Sequence, residues 1–350
     1  MEAAYLRLYK ELKKQITSGM YAYGERFPSK RSTVKESGLS LITVQHAYEI
    51  LCDEGWLTAR ERSGYFVAYH EHGSPVLPPV PDMPDNSPKE GEVNSALPFE
   101  TYSKAMRSVL SGWGGRIMER SPNTGCAELR EALAAYLAAQ RGMPVSPAQI
   151  VIGSGAEYLY SIIVRMLGTE RRYALESPSY EMIRLVYESA GAVCRMLPMG
   201  PKGIVSEALA ETDASVLHVT PYHSWPTRIT AGASKRREYI SWAERRGAYL
   251  VEDDFDSELS ASSKPADTLY SLAPERVIHI NTFTRTVSPA LRVGYMVLPA
   301  ALLSVYQEKA GFLSCSVPVT EQMLLTELLR SGAFVRHLRR VRRKMRAMKA

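Results

Sequence analysis

Apolar residues recur at helical spacing near the start of the chain and predict three short helices. The first helix, over residues 5–18, places five apolar side chains on one face: Tyr5, Leu8, Tyr9, Leu12 and Ile16. Serine is a preferred N-cap residue, so Ser29 and Ser40 mark the starts of the second and third helices. Two β-rich segments, 56–58 and 65–68, then flank a charged turn and predict a hairpin. Together these elements predict a winged helix-turn-helix.

The stretch that follows has no apolar period. Residues 70–96 are rich in proline, serine, glycine and acids, a composition typical of an extended linker. We therefore expect three parts: a winged helix-turn-helix domain at 1–69, the linker at 70–96 and a second domain at 97–350.

From residue 97 onward, β-rich segments alternate with amphipathic helical segments every 25–35 residues. This order predicts an α/β domain with a mostly parallel sheet and helices on both faces, and one of its predicted strands spans residues 216–222. Ligands in such sheets bind beyond the carboxyl ends of the strands, where Ser154, His223, Asp253 and Thr284 are expected.

Composition and charge exclude some classes. The chain has no 18-residue apolar run and no apolar signal core at its start, so we expect a cytoplasmic protein. Its four cysteines are far apart and are expected to be buried reduced thiols. The net charge of +6 comes from nine basic residues between 330 and 349, so the rest of the chain is net acidic. This basic segment is interpreted as an exposed helix face, with a second nucleic-acid contact as the alternative.

The segment GERFPSKRSTVKESGLSLITVQHAYEILCDEGWLTARERSGYFVA, residues 24–68, resembles the GntR family of winged-helix regulators. The resemblance implies binding to a double-stranded DNA operator. Basic side chains suit phosphates and amide side chains suit base edges, and two residues depart from the pattern, Leu41 and Arg62. The expected DNA-binding residues are Ser29, Lys30, Arg31, Ser40, Thr43, Gln45, His46, Arg62 and Gly64.

The run TFTRTVSPALRVGY, residues 282–295, resembles the signature of MocR-type regulators, which fuse that module to a fold-type I aminotransferase-like domain. In that family a lysine in this turn holds pyridoxal phosphate (PLP) as a Schiff base. Arg285 stands at the lysine position, and its protonated guanidinium is no amine nucleophile. The blocks GSGAEY, ESPSY, TPYHSWPTR and VEDDFDSE resemble other parts of the family's pocket, with Glu157 and Phe255 as departures.

The resemblance implies a vestigial cofactor pocket with no catalytic residues. Its expected members are Ser154, Gly155, Ala156, Tyr180, His223, Asp253, Phe255, Thr282, Thr284, Arg285 and Arg292. In the family, a tyrosine at the position of Tyr180 stacks on the ring, an aspartate at that of Asp253 pairs with its nitrogen, and an arginine at that of Arg292 binds its phosphate. The four acids at 252–256 are expected to hold no metal.

These patterns favour a DNA-binding transcriptional regulator with a degenerate, catalytically inactive aminotransferase-like domain. The resemblance implies a homodimer, an unknown anionic or amino-acid-like effector, and absence of the family's small C-terminal subdomain. No covalent cofactor is expected, and non-covalent PLP stays an open alternative. Two other functions stay open as well: a dimeric interaction protein that modulates a full-length relative, and an active PLP-dependent aminotransferase.

Overall fold

A computed structural model describes residues 3–61, 63–69, 96–260 and 267–349. The chain divides into two compact units, Met1–Glu90 and Gly91–Ala350. The predicted linker at 70–96 lies almost entirely outside the described residues, so its bounds stay a prediction.

In its described residues, the first unit has three helices and a three-stranded sheet. Its elements are α1 (Ala4–Thr17), β1 (Arg26–Phe27), α2 (Lys30–Ser37), α3 (Leu41–Asp53), β2 (Leu57–Arg60) and β3 (Gly64–Val67). β3 pairs antiparallel with both β2 and β1. The predicted helices and hairpin are present within one or two residues, whereas the short strand β1 was not predicted.

The predicted caps and apolar faces explain this unit. The Oγ atoms of Ser29 and Ser40 accept hydrogen bonds, each of 3.2 Å, from the backbone N–H groups of Ser32 and Thr43. One face of α3 is buried against α1 and the sheet: Val44, Ala47, Tyr48 and Leu51. The Tyr48 hydroxyl also donates to Pro28 O over 2.9 Å, which ties α3 to the segment before α2.

The second unit is an α/β domain. Its strands are β4 (Ile150–Gly153), β5 (Arg172–Ser177), β6 (Val193–Gly200), β7 (Gly203–Ile204), β8 (Val216–Val219), β9 (Tyr249–Asp253), β10 (Val277–Thr282) and β11 (Gly294–Val297). Its helices are α4 (Phe99–Trp113), α5 (Ala127–Arg141), α6 (Ala156–Leu167), α7 (Glu181–Ser189), α8 (Ser206–Glu211), α9 (Ala233–Arg246), α10 (Leu269–Leu272), α11 (Leu303–Lys309), α12 (Val319–Arg330) and α13 (Ala333–Lys349).

The strand order is β4-β11-β10-β9-β8-β5-β6-β7. The five strands from β10 to β6 run parallel, while β11 pairs antiparallel with both β10 and β4. The predicted α/β class with a mostly parallel sheet is confirmed. β10 and β11 are joined by residues 283–293, which contain no α-helix, whereas a parallel neighbour usually needs a helical crossover.

Alternate residues of each strand serve two separate cores, because successive side chains point to opposite faces of a sheet. Ile150 and Ile152 pack with α5, α9, α12 and α13, whereas Val151 packs with α6, α7 and α11. Every residue of β4, β8, β10 and β11 is buried.

Two expectations need correction, and a third agrees with the structure. The strand predicted at 216–222 ends at Val219, since Pro221 has no N–H to donate to a neighbouring strand. Only Cys126 is buried among the four cysteines, all of which are free thiols; Cys52, Cys194 and Cys315 are half-buried. α13 buries Phe334, His337, Leu338 and Val341 and exposes most of its basic residues, which agrees with the exposed helix face.

Within the described ranges, no helix is both long and apolar enough to cross a membrane.

Candidate functional site

The first unit presents a mixed polar and apolar surface on α3. We call the exposed residues of this helix the outward face: Leu41, Ile42, Gln45, His46 and Glu49. The Gln45 Nε2 donates to Glu49 Oε1 over 2.9 Å, so part of this face is paired within the helix. His46 stacks on Tyr5 of α1, with ring centroids 4.1 Å apart. His46 therefore has a packing partner in addition to its predicted DNA-binding role.

The other predicted DNA-binding residues divide into structural and exposed groups. Ser29 and Ser40 cap helices, and the half-buried Thr43 hydrogen-bonds to Ser40 through its hydroxyl at 2.8 Å. Lys30 lies over the Tyr65 ring at 5.6 Å, and Arg31 is exposed.

At the hairpin, Gly64 has a φ of 106°, a conformation that favours glycine over residues with a Cβ. A Cβ there would meet the Arg26 guanidinium at 3.6 Å. Arg62 lies outside the described residues.

In the second unit, the start of α6 forms the first part of the predicted pocket. Gly155 precedes the helix with a φ of 95°, and a Cβ there would lie 3.0 Å from Arg292 Nη2. The same Nη2 is 2.5 Å from Glu157 Oε2. Because a helix N-terminus and an arginine both favour an anion, the Glu157 carboxylate is stabilised at this helix start. The Ser316 hydroxyl donates to Ser154 Oγ over 2.9 Å beside it.

Asp253 is the last residue of β9 and forms the second part of the predicted pocket. The buried Tyr160 hydroxyl donates to Asp253 Oδ2, and His218 Nε2 is 3.8 Å from the same oxygen. Burial, reinforced by the Asp253 charge, raises the pKa of Tyr160 well above its ordinary value, so the tyrosine keeps its proton. Asp253 Oδ1 is buried and has no hydrogen-bond partner among the described residues. This oxygen is placed to accept from a ring N–H.

Asp256 joins two predicted residues in the third part. Its Oδ2 is 2.9 Å from His223 Nδ1, and its Oδ1 is 3.4 Å from Arg285 Nη1. The Arg285 guanidinium also lies 5.6 Å from the centroid of the Phe255 ring. His223 has a φ of 52°, which is uncommon for a residue with a side chain. The turn at 285 is thus held by a carboxylate and an aromatic face.

The remaining predicted pocket residues are less closely joined. Tyr180 is 47% exposed, and its pKa is raised by burial and by the nearby Glu157, with Arg292 acting in the opposite direction. Thr282 is buried with its N–H donating to Asn281 Oδ1 at 2.6 Å, a structural role. Thr284 and Ala156 are half-buried.

Comparisons with known proteins agree with both units. The family "Bacterial regulatory proteins, gntR family" matches residues 4–67, and "Aminotransferase class I and II" matches residues 90–350. The pyridoxine biosynthesis regulator PdxR of Corynebacterium glutamicum is 31% identical over 96% of this chain and 75% of its own length. The uncharacterized HTH-type transcriptional regulator YdeL of Bacillus subtilis is 28% identical over 99% of this chain and 77% of its own.

This chain is a MocR-type member of the GntR family. It is a DNA-binding transcriptional regulator with an aminotransferase-like domain. Relatives named as regulators favour a non-enzymatic role.

Among solved structures, the α-aminoadipate aminotransferase LysN of Thermus thermophilus is 29% identical with a TM-score of 0.63, covering 71% of this chain. This regulator spans 62–66% of the lengths of the solved aminotransferases that it matches. The fold of the second unit is therefore that of PLP-dependent aminotransferases.

Sequence reasoning did not identify several partners in this regulator's pocket: Tyr160, His218, Asp256 and Ser316. Tyr160 lies on α6 and His218 on β8, so only the order of strands in the sheet brings them to Asp253. For Asp256 the sequence did contain a clue to its place in the pocket, because this residue lies in the acidic block that contains Asp253. Each buried acid of that block has its own partners, and in the described ranges no group of three potential ligands is arranged to hold a metal ion.

Glu176, at the end of β5, supports a pH prediction. It is buried and accepts from Ser224 Oγ over 2.6 Å, and burial raises its pKa from 4.5 to about 7. Between these values the folded protein holds a proton that the unfolded chain releases, so unfolding free energy falls as pH rises from about 4.5 to 7. At 1.36 kcal/mol per pH unit, the titration of Glu176 lowers the unfolding free energy by roughly 3 kcal/mol across that pH window.

We expect Glu176→Gln to match wild type near pH 4.5 and to exceed its unfolding free energy by roughly 2–3 kcal/mol at pH 8. Urea titrations of both proteins across this pH range measure the difference. The exposed Glu211 provides the matched control, Glu211→Gln, which should follow the wild-type curve. If the unfolding free energies of wild type and Glu176→Gln changed in parallel with pH, the raised pKa of Glu176 would be contradicted.

Proposed function

We propose that this regulator binds its operator with the first turns of α3 in the major groove and with α2 and the β2–β3 hairpin against the phosphate backbone. The observation that supports this is the outward face of α3, which is exposed and begins at a capped N-terminus. Exposed Arg31 on α2 and Arg60 on β2 supply positive charge on the same unit. The DNA-binding role assigns the protein to the bacterial cytoplasm, where the chromosome lies.

Two substitutions separate backbone contacts from base reading. We expect Arg31→Ala to weaken binding to specific and random duplexes alike and to lower the salt slope by about 1, because a phosphate contact carries no sequence information. Gln45→Ala should cost about 1–3 kcal/mol on the selected site only. Reading a base requires Gln45 to exchange its hydrogen bond with Glu49 for one to the base edge.

Fluorescence anisotropy at several salt concentrations, on a duplex selected from a random library, measures both effects. Lys14→Ala serves as the matched control, since Lys14 is an exposed cation on α1 outside the predicted DNA-binding set. Equal loss on selected and random DNA for Gln45→Ala would refute its base-reading role. A full-length protein that enriches no duplex would favour the alternative of an interaction protein acting on a relative.

We further propose that the second unit forms a homodimer, as in the aminotransferase fold that it shares. Two-fold symmetry would present two first units to paired half-sites, so a selected operator should contain an inverted repeat.

The pocket residues fit PLP at one end and do not fit a covalently held cofactor. Asp253 Oδ1 suits a pyridine N–H, but Arg285 offers no amine for attachment, and Glu157 occupies Arg292 where the phosphate would bind. We therefore propose that the domain is catalytically inactive. The chain's own carboxylates, Glu157 and Asp256, neutralise the two arginines.

This pairing of charges bears on the effector. A simple anion has to compete with Glu157 for Arg292 and with Asp256 for Arg285. An amino-acid-like molecule carries both an ammonium and a carboxylate, and it satisfies an acid and an arginine together. We propose that this pocket binds an amino-acid-like effector rather than a plain anion.

A further inference from the structure

The first turn of α3 exposes two large apolar side chains. Ile42 is 82% exposed and Leu41 is 51% exposed, whereas the inward residues Val44, Ala47 and Leu51 are fully buried. Exposed apolar residues at the start of this helix add nothing to the core of the unit. Adjacent exposed apolar residues form a candidate contact surface for a partner outside the unit.

The local geometry keeps these residues at the tip of the helix. Ser40 Oγ accepts from the Thr43 N–H at 3.2 Å and hydrogen-bonds to the Thr43 hydroxyl at 2.8 Å, which orders the first turn. Ile42 precedes Gln45 by three residues and Glu49 by seven, so all three lie along one stripe of the helix. The stripe starts apolar and becomes polar.

Exposed cations elsewhere on the same unit favour DNA as the partner. Arg31 and Lys35 on α2 and Arg60 on β2 are all exposed on this unit, which suits a polyanion better than an apolar protein surface. In the major groove the apolar feature of a base pair is the thymine C5-methyl group, which aliphatic side chains contact. The hydrogen bond between Gln45 and Glu49 leaves Ile42 and Leu41 as the groups that the helix tip presents.

We propose that Ile42, supported by Leu41, contacts a thymine methyl group and makes thymine a specificity determinant of the operator. The inference rests on the proposed DNA binding and adds the base class that the helix tip reads. It assigns a role in DNA recognition to an aliphatic side chain, which has neither a charge nor a hydrogen-bonding group.

Replacing thymine by deoxyuridine removes only the methyl group and provides a direct test. The full-length protein selects a preferred duplex from a random library, and each thymine of that duplex is then changed singly to deoxyuridine. At one thymine per half-site, wild type should lose about fourfold in affinity, the factor expected from burying one methyl-sized group. Ile42→Ala should bind the thymine and uracil duplexes equally. Met20→Ala removes a side chain that is 62% exposed in the same unit and should keep the wild-type penalty.

The outcomes distinguish this inference from the proposed DNA binding. Tight binding with no uracil penalty at any thymine, or an undiminished penalty in Ile42→Ala, would overturn the methyl contact and leave DNA binding intact. Failure of the wild type to enrich any duplex would overturn both and would point to a protein partner for the apolar tip. A penalty that disappears only in Ile42→Ala would establish the contact.

Discussion

Borohydride reduction in the presence of PLP should leave residue 285 of the wild-type chain unmodified and should attach a pyridoxyl group there in the double variant Arg285→Lys/Glu157→Gln. The first half follows from the arginine, because a delocalised guanidinium offers no amine lone pair that could attack the cofactor aldehyde. The second half follows from the rest of the pocket. Asp253 Oδ1 has no hydrogen-bond partner among the described residues, and Glu157→Gln removes the carboxylate that pairs with Arg292.

The two single variants separate the effect of the missing amine at residue 285 from the effect of Glu157 competing with the phosphate for Arg292. Arg285→Lys alone restores an amine but leaves Glu157 2.5 Å from Arg292, so labelling should require much more PLP than in the double variant. Glu157→Gln alone removes the competing charge but supplies no amine, so it should show no adduct at 285. Intact mass measurement and peptide mapping identify the modified residue.

Arg285→Gln/Glu157→Gln provides the matched control, since it lacks both the guanidinium and the amine. A wild-type adduct on one specific lysine of this pocket would contradict the proposal that the domain is catalytically inactive. Absence of an adduct in the double variant with lysine would show that the remaining residues no longer hold the ring.

Loss of the buried Arg141 guanidinium should lower the unfolding free energy of the second unit by about 3–5 kcal/mol. Arg141 Nη2 is 2.5 Å from Asp254 Oδ2, and Nη1 is 2.7 Å from Ser257 Oγ. The side chains of Arg141 and Asp254 are only 2% and 4% exposed. Burial raises the pKa of Asp254, and the Arg141 charge opposes this shift, so Arg141→Ala leaves a carboxyl group without its main compensation.

Chemical unfolding followed by near-ultraviolet circular dichroism measures this loss. Arg330→Ala is the matched control, because Arg330 pairs with Glu131 at 3.3 Å with both side chains at least half exposed. That variant should stay within about 0.5 kcal/mol of wild type. Arg141→Met/Asp254→Leu should recover most of the loss, since apolar replacement of both partners removes the uncompensated group. A loss below about 1 kcal/mol for Arg141→Ala would contradict the buried-pair argument.

Local patterns were sufficient for the elements of both units. Ser29 and Ser40 marked two helix starts, and the apolar spacing in α3 identified the buried face, because caps and amphipathic faces depend on residues a few positions apart. The same reasoning missed β1 and extended β8 too far. β1 has two residues and exists through its pairing with β3, and β8 ends where Pro221 interrupts hydrogen bonding.

The sequence by itself determined that this chain joins a winged helix-turn-helix to an aminotransferase-like domain, and that residue 285 has no amine. The first follows from the order of local elements together with the resemblance of several sequence blocks to MocR-type regulators, and the second follows from side-chain chemistry. Only the tertiary structure decided the electrostatics of the pocket. Glu157 meets Arg292 across 135 positions, and Asp256 joins His223 to Arg285. Such contacts depend on which strands are neighbours in the sheet, and the spacing of residues along the chain does not specify that order.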